Sequence, residues 1–213
     1  MNYTTIKALA KASFIEKRSE FIGYLCPVST NDEAVNFINN IKAEHRKAKH
    51  NVYAYILRDN NITRYSDDGE PQGTAGIPVL DVLQKHQLTD ICCVVTRYFG
   101  GILLGGGGLV RAYQKSVQEG LAASVIIDKK EGRRLSVGTD YTGLGKLQYL
   151  VAQNGLTLID TVYTEKVELL LMVPSEMQEQ TEKEIIEATN GKADISWGEM
   201  VLYAMVEGKL QIF

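Results

Sequence analysis

Three carboxylates in four residues, Asp67, Asp68 and Glu70, stand in the stretch Ser66-Asp67-Asp68-Gly69-Glu70-Pro71-Gln72-Gly73-Thr74-Ala75-Gly76. Like charges this close repel, and one would titrate high unless a cation or guanidinium offsets them. Three arrangements meet that need. The acids can bind their own backbone in an Asx-turn-rich surface loop. They can orient arginines as a scaffold. They can also hold Mg²⁺, because hard cations take carboxylate oxygens. An EF-hand is excluded, since the later oxygen ligands and the terminal Glu are missing.

The second chemical feature lies in residues 94–116, where six glycines fall among nine residues: Gly100, Gly101, Gly105, Gly106, Gly107 and Gly108. Arg97 stands before them and Arg111 after. Glycine gives up more backbone entropy on folding than any other residue, so the cluster is costly unless the backbone needs it. The need is positive φ, close approach of another backbone, or a row of N–H groups turned toward an anion at a helix start. Neither standard nucleotide fingerprint fits: no Lys follows the second glycine of a Walker spacing, and G-x-G-x-x-G cannot be placed. Tyr98 and Phe99, beside Arg97, suit either base stacking or packing against the glycine turn. His45, Lys47, Lys49 and His50 add positive charge at the end of a predicted helix, where the helix dipole favours it and where phosphates could be held. The two histidines are five apart, off a common helical face, so a two-His metal site on a regular helix is not expected. With no nucleophile elbow and no His-Glu-x-x-His, nothing assigns a catalytic residue, and the balance leans against an enzyme.

The elements that must position these residues follow from periodicity. Strands are predicted at 14–16 and 21–28. Thr30 with Glu33 is a capping-box signature that opens a helix over 31–47, with Ala34, Phe37, Ile38 and Ile41 inward. Residues 52–57 and 62–65 read as a hairpin around Asp59-Asn60-Asn61. A loop over 66–76 leads into a helix from Pro78 to about 86. The β-branched run 91–96 reads as a buried strand, and a helix begins near Gly107 and ends near 123. The charged stretch 128–134 reads as a connector. Beyond it the order is strand 134–140, helix 143–153, strands 156–164 and 166–173, helix 175–189 and strand 195–207. Asn154-Gly155 and Asn190-Gly191 end the two helices. That βαββαβ order implies a ferredoxin-like sandwich. The expected organisation is α+β, with domains at 1–130 and 134–213.

Composition restricts the function classes. The chain is 45% apolar and 23% charged, which is the make-up of a globular protein. No apolar run approaches a membrane span and the start lacks a signal-peptide core, so a cytoplasmic protein is expected. Cys26, Cys92 and Cys93 are odd in number, and suit neither a disulfide framework nor a metal knuckle. The net charge of −3 hides an asymmetry: residues 1–132 hold 16 Lys+Arg against 14 Asp+Glu, residues 133–213 hold 7 against 12. A generic nucleic-acid binder is more basic, so anion recognition must be local and in the first half.

The motifs Ser-Asp-Asp-Gly-Glu-Pro-x-Gly-Thr-Ala-Gly-x-Pro at 66–78 and Val-Thr-Arg-Tyr-Phe-Gly-Gly-x-x-Leu-Gly-x-Gly-Gly-Leu-x-Arg-Ala-Tyr at 95–113 resemble the YigZ/IMPACT family. The βαββαβ unit is similar to the extra domain of its bacterial two-domain members. The resemblance implies a first domain with the fold of the second domain of ribosomal protein S-five. It also implies a C-terminal domain similar to the last domain of elongation factor G. Eukaryotic relatives are regulators of translational control that bind a general-control activator protein, with help from a domain absent here. Where members commonly carry a Cys two residues after the second His, this chain has Val52, which argues against a thiol or Cys–metal role there.

The resulting expectation is a cytosolic, translation-linked regulator that binds RNA, the ribosome or a translation factor. Arg97, Arg111, the amides of Gly105 to Gly108, Lys47 and Lys49 would hold phosphates, and Tyr98 or Phe99 would stack. Asp67, Asp68 and Glu70 would orient the arginines. No cofactor is required. The rival readings are a phosphoester hydrolase in which residues 67–70 hold Mg²⁺, and a protein-binding module without nucleic acid.

Overall fold

Every residue from Ile91 to Arg97 is buried, as a strand covered on both faces must be. The computed structural model describes residues 2–213 and divides into two units, Tyr3–Ile127 and Asp128–Phe213, Asn2 counting with the latter. The first holds β1 (Tyr3–Ile6), β2 (Ala10–Glu16), β3 (Ser19–Pro27), α1 (Asn31–Glu44), β4 (His50–Leu57), β5 (Ile62–Ser66), α2 (Gly76–Lys85), β6 (Ile91–Tyr98) and α3 (Gly106–Ala122). Its antiparallel sheet has the order β2-β3-β6-β4-β5. Because side chains alternate along a strand, β6 feeds two cores. Cys93 and Val95 pack with α2 and α3, beside Phe21, Val79 and Tyr113. Cys92 and Val94 pack with α1, beside Tyr24, Ala34 and Ile38. Burial pushes the Cys92 and Cys93 thiols well above their usual range, so they stay protonated and inert.

Thr30 Oγ1 accepts the Glu33 N–H at 3.2 Å, while Glu33 reaches back to the Ser29 N–H. The Thr30 half of the predicted capping box is therefore formed, while Glu33 takes the N–H one residue before the cap instead of that of Thr30. The helix is shorter than expected: His45 leaves helical geometry at φ −104° and ψ 45°, so Lys47 and Lys49 lie beyond it.

The second unit holds β7 (Ile126–Thr139), α4 (Tyr141–Gln153), β8 (Thr157–Tyr163), β9 (Val167–Pro174), α5 (Gln178–Ala188), β10 (Asp194–Val206) and β11 (Lys209–Ile212). The order β11-β10-β7-β9-β8 is the ferredoxin-like arrangement with one strand added at the edge. Leu135, Val137, Leu169 and Leu171 pack against Leu147, Leu150 and Ile185 of the two helices.

Two expectations need correction. Residues 128–134 are not a connector but part of β7, where Lys130, Glu131 and Gly132 pair with Tyr203, Leu202 and Val201. A strand with one wet side tolerates alternate charges, and that looks like a linker in sequence. The final strand also turns back on itself: Glu207 (φ 51°) and Gly208 (φ 76°) close a two-residue hairpin that forms β11. Positive φ at both central residues is what such a turn demands. Among the described residues, no helix is long and apolar enough to cross a membrane.

Candidate nucleic-acid interface

The acidic loop resolves into three separate tasks. Asp67 accepts backbone N–H bonds from Gly73 (2.9 Å), Ala75 (3.1 Å) and Gly76 (2.8 Å). It stands in for the missing side-chain cap of α2, whose first N–H groups would otherwise lack acceptors. Asp68 accepts from Lys42 Nζ at 2.8 Å and from the Asn51 N–H at 2.7 Å. Glu70 is buried, and its Oε1 accepts from Arg97 Nη1 at 2.7 Å and from the Tyr113 hydroxyl at 2.8 Å. Only Glu70 meets an arginine. The three carboxylates do not converge, and no group of three His, Cys, Asp or Glu among the described residues is placed to hold a metal ion.

Strand alternation divides the residues expected to form one surface. Arg97 points to the α2/α3 face, is 4% exposed and sits 5.4 Å from the ring centroids of both Phe21 and Phe99. It cannot reach a phosphate in solvent, which corrects the role assigned to it. Tyr98 points to the α1 face, where its hydroxyl meets His45 Nδ1 at 2.9 Å. His45 is itself buried, with Nε2 2.6 Å from the Tyr24 hydroxyl. It is a core histidine rather than a surface cation. The His50 Nδ1–H donates to the Asp68 carbonyl at 2.9 Å, since that oxygen can only accept. Lys47 and Lys49 are in the α1–β4 loop, clear of the core, and Phe99 is partly exposed beside Arg97.

The exposed cluster lies where the β2–β3 hairpin meets the glycine segment. Glu16 pairs with Ser19, so Lys17 (φ 45°) and Arg18 (φ 67°) form a two-residue turn. Such a turn normally carries Asn-Gly, and each side chain held at positive φ costs about 1 kcal/mol. A Cβ at Gly100 would lie 1.9 Å from the Arg18 carbonyl oxygen, and the Gly100 N–H donates to Ser19 Oγ at 3.2 Å. Close approach therefore requires that glycine and locks the loop to the turn. Gly105 needs its φ of 74°.

Gly106 and Gly107 meet neither need. Their φ values are not positive, and an added Cβ would find only Thr74 Cγ2 at 3.9 Å or Arg111 Nη1 at 3.6 Å. They are the first two residues of α3, and no described group accepts from the N–H of Gly106, Gly107 or Gly108. The first bonded amide is that of Leu109, which donates to Gly105 O at 2.9 Å. Beside the Gly108 amide a groove of about 220 Å³ is lined by Phe14, Glu16, Lys17, Leu104, Gly108, Arg111 and Lys115. Lys115 Nζ lies 4.5 Å from the Phe14 ring centroid. Lys17, Arg18, Arg111 and Lys115 form no ion pair with described residues. Leu103, 81% exposed, stands in the same loop. Four cations, three open amides and an apolar wall can seat a phosphate and a ring.

Of the residues singled out in sequence, Arg111 and Gly105 to Gly108 belong to this cluster, and Gly100 and Gly101 shape it. Lys17, Arg18, Lys115 and Phe14 went unrecognised. Two signals carry them: Lys-Arg within the short gap between the predicted strands 14–16 and 21–28, and a lysine one helical turn after Arg111.

Residues 17–121 match the Impact N-terminal domain, and residues 137–192 match a domain of unknown function, DUF1949. The IMPACT family member YvyE of Bacillus subtilis is 44% identical over 200 residues, covering 93% of this chain and 92% of that protein. The chain belongs to the IMPACT family. Its Escherichia coli member YigZ is 33% identical over 90% of this chain and 92% of its own length. The family's Protein IMPACT of Xenopus laevis is 38% identical over 97 residues, covering 42% of this chain and 30% of that protein. Among solved structures, a crystal structure of a hypothetical protein superposes with a TM-score of 0.59 at 29% identity, covering 93% of this chain and 98% of that one.

Proposed function

We propose that this IMPACT-family chain is a cytosolic, translation-linked regulatory protein that binds RNA, free or within the ribosome, through the groove at the start of α3. The open amides of Gly106, Gly107 and Gly108 would take phosphate oxygens at the positive end of the helix dipole. Arg111, Lys115, Lys17 and Arg18 would supply the charge, and Phe14 or Phe99 a stacking face. Arg97 and Glu70 sit beneath as scaffold. The observation that carries this reading is the glycine pair at 106 and 107, which the chain keeps although nothing in its own packing requires it. A helix start without side chains lets a phosphodiester backbone come close. The scattered partners of Asp67, Asp68 and Glu70 favour this reading over a metal-assisted hydrolase.

The test is a titration of the ¹⁵N-labelled full chain with a single-stranded RNA of about 12 nucleotides. The Gly106, Gly107 and Gly108 amide signals are expected to move most, with affinity falling steeply as KCl rises, because phosphate contacts release counterions. Unmoved glycine amides, or an affinity indifferent to salt, would remove the proposal.

A further inference from the structure

The C-terminal unit carries a cleft of its own along α4 and α5. One end, of about 230 Å³, is lined by Thr142, Lys146, Lys166, Asn190 and Lys192. The other, of about 650 Å³, is lined by Tyr149, Gln153, Asn154, Glu184 and Glu187. Lys146 and Ala188 line both, so the two adjoin.

The ends differ in charge. Lys166 is tied to Asp194 at 2.8 Å, but Lys146 and Lys192 form no ion pair with described residues. The carboxylate on that wall, Asp140, is engaged as the α4 cap, accepting from the Thr142 hydroxyl and the Gly143 N–H. Lys146, Lys166 and Lys192 stand against the two carboxylates Asp140 and Asp194, so the lysine end keeps an excess of one positive charge. At the far end Glu184 accepts from Asn154 and Gln180, and Glu187 adds a second negative charge. Tyr149 is 69% exposed. The larger end is also lined by Gly145, in the second turn of α4, with no positive φ and no atom within 4 Å of an added Cβ. Alanine is favoured over glycine inside a helix, so packing does not account for Gly145. A methyl there would stand in open space beside the cleft that Gly145 lines.

We infer that the α4–α5 cleft seats one nucleotide unit, its phosphate among Lys146, Lys166 and Lys192 and its ring against Tyr149. The charge gradient sets the polarity, since the glutamate end repels phosphate and offers acceptors to base amino groups. The same chemistry is presented by a free nucleotide and by one residue of an RNA strand. The site shares no residue with the α3 groove, so its failure and that of the RNA reading are separable.

The full ¹⁵N-labelled chain is titrated with AMP, adenosine, inorganic phosphate and a short oligoadenylate. AMP is expected to move the amides of Thr142 to Asn154 and of Thr189 to Lys192 together, at least tenfold more tightly than adenosine or phosphate. Oligoadenylate that moves the same signals more tightly than AMP would assign the strand as the source and support the site. The surface pair Lys146→Ala/Lys192→Ala should weaken binding at least tenfold. Gly145→Ala should weaken it about fivefold without lowering Tm, which separates occupancy from misfolding. The inference is overturned if neither AMP nor oligoadenylate moves those signals, if phosphate alone binds as tightly as AMP, or if both variants bind like the native chain.

Discussion

Truncating Glu70 to alanine is expected to destabilise the N-terminal unit by about 3–5 kcal/mol, the loss seen when one partner of a buried ion pair is removed. Both side chains of the Glu70–Arg97 pair are about 5% exposed or less. Without Glu70, Arg97 keeps a buried charge with only Ser19 Oγ, 3.4 Å away, to receive it. The Tyr113 hydroxyl loses its acceptor as well. Burial, with the Glu70 charge beside it, pushes that hydroxyl well above the usual tyrosine range, so it stays a donor. Urea unfolding should show a large fall in midpoint for Glu70→Ala. The paired change Glu70→Leu/Arg97→Met, made together with Tyr113→Phe so that no hydroxyl is left without its acceptor, should recover most of it, since hydrophobic replacement of a whole buried pair is often neutral. A Glu70→Ala loss of no more than about 0.5 kcal/mol, the scale of an ordinary surface substitution, would deny the pair its structural role. A variant at Arg97 that fails to bind RNA would therefore report lost structure rather than a lost phosphate contact.

The double variant Arg111→Ala/Lys115→Ala should behave in the opposite way. Both side chains leave from α3, Arg111 into solvent and Lys115 over the Phe14 ring. Stability should change by no more than about 0.5 kcal/mol, as for most surface substitutions. RNA affinity at low salt should fall roughly ten- to a hundredfold, because each phosphate contact gives up a released counterion. The slope of log K against log[KCl] should shrink by about two, one for each cation removed. Fluorescence anisotropy across a KCl series reads both quantities. An unchanged slope would mean that these cations meet no phosphate.

Fold was legible wherever periodicity was strong. The buried run 91–96, the Thr30 cap of α1 and the βαββαβ order all stand where the spacing placed them. The site was legible only in part, for reasons of geometry. A one-dimensional motif does not say which way a side chain faces, and adjacent Arg97 and Tyr98 must take opposite sides of β6. Arg97 looked like an anion ligand because a charged residue at a strand end is normally wet. Here a carboxylate 27 positions earlier reaches it inside the core. The edge strand β11 was hidden because Glu-Gly is a weak hairpin signal. Lys17-Arg18 was overlooked because neither residue advertises positive φ.

The most direct measurement uses Gly106→Ala/Gly107→Ala, with stability and RNA affinity read on the same preparation. Alanine at each position should stabilise α3 by up to about 0.5–1 kcal/mol, since glycine loses more entropy on folding. No clash opposes either methyl. RNA affinity should nevertheless fall at least tenfold, with the salt slope retained because every cation remains. A chain that grows more stable and binds RNA as tightly as before would contradict the proposed phosphate seat.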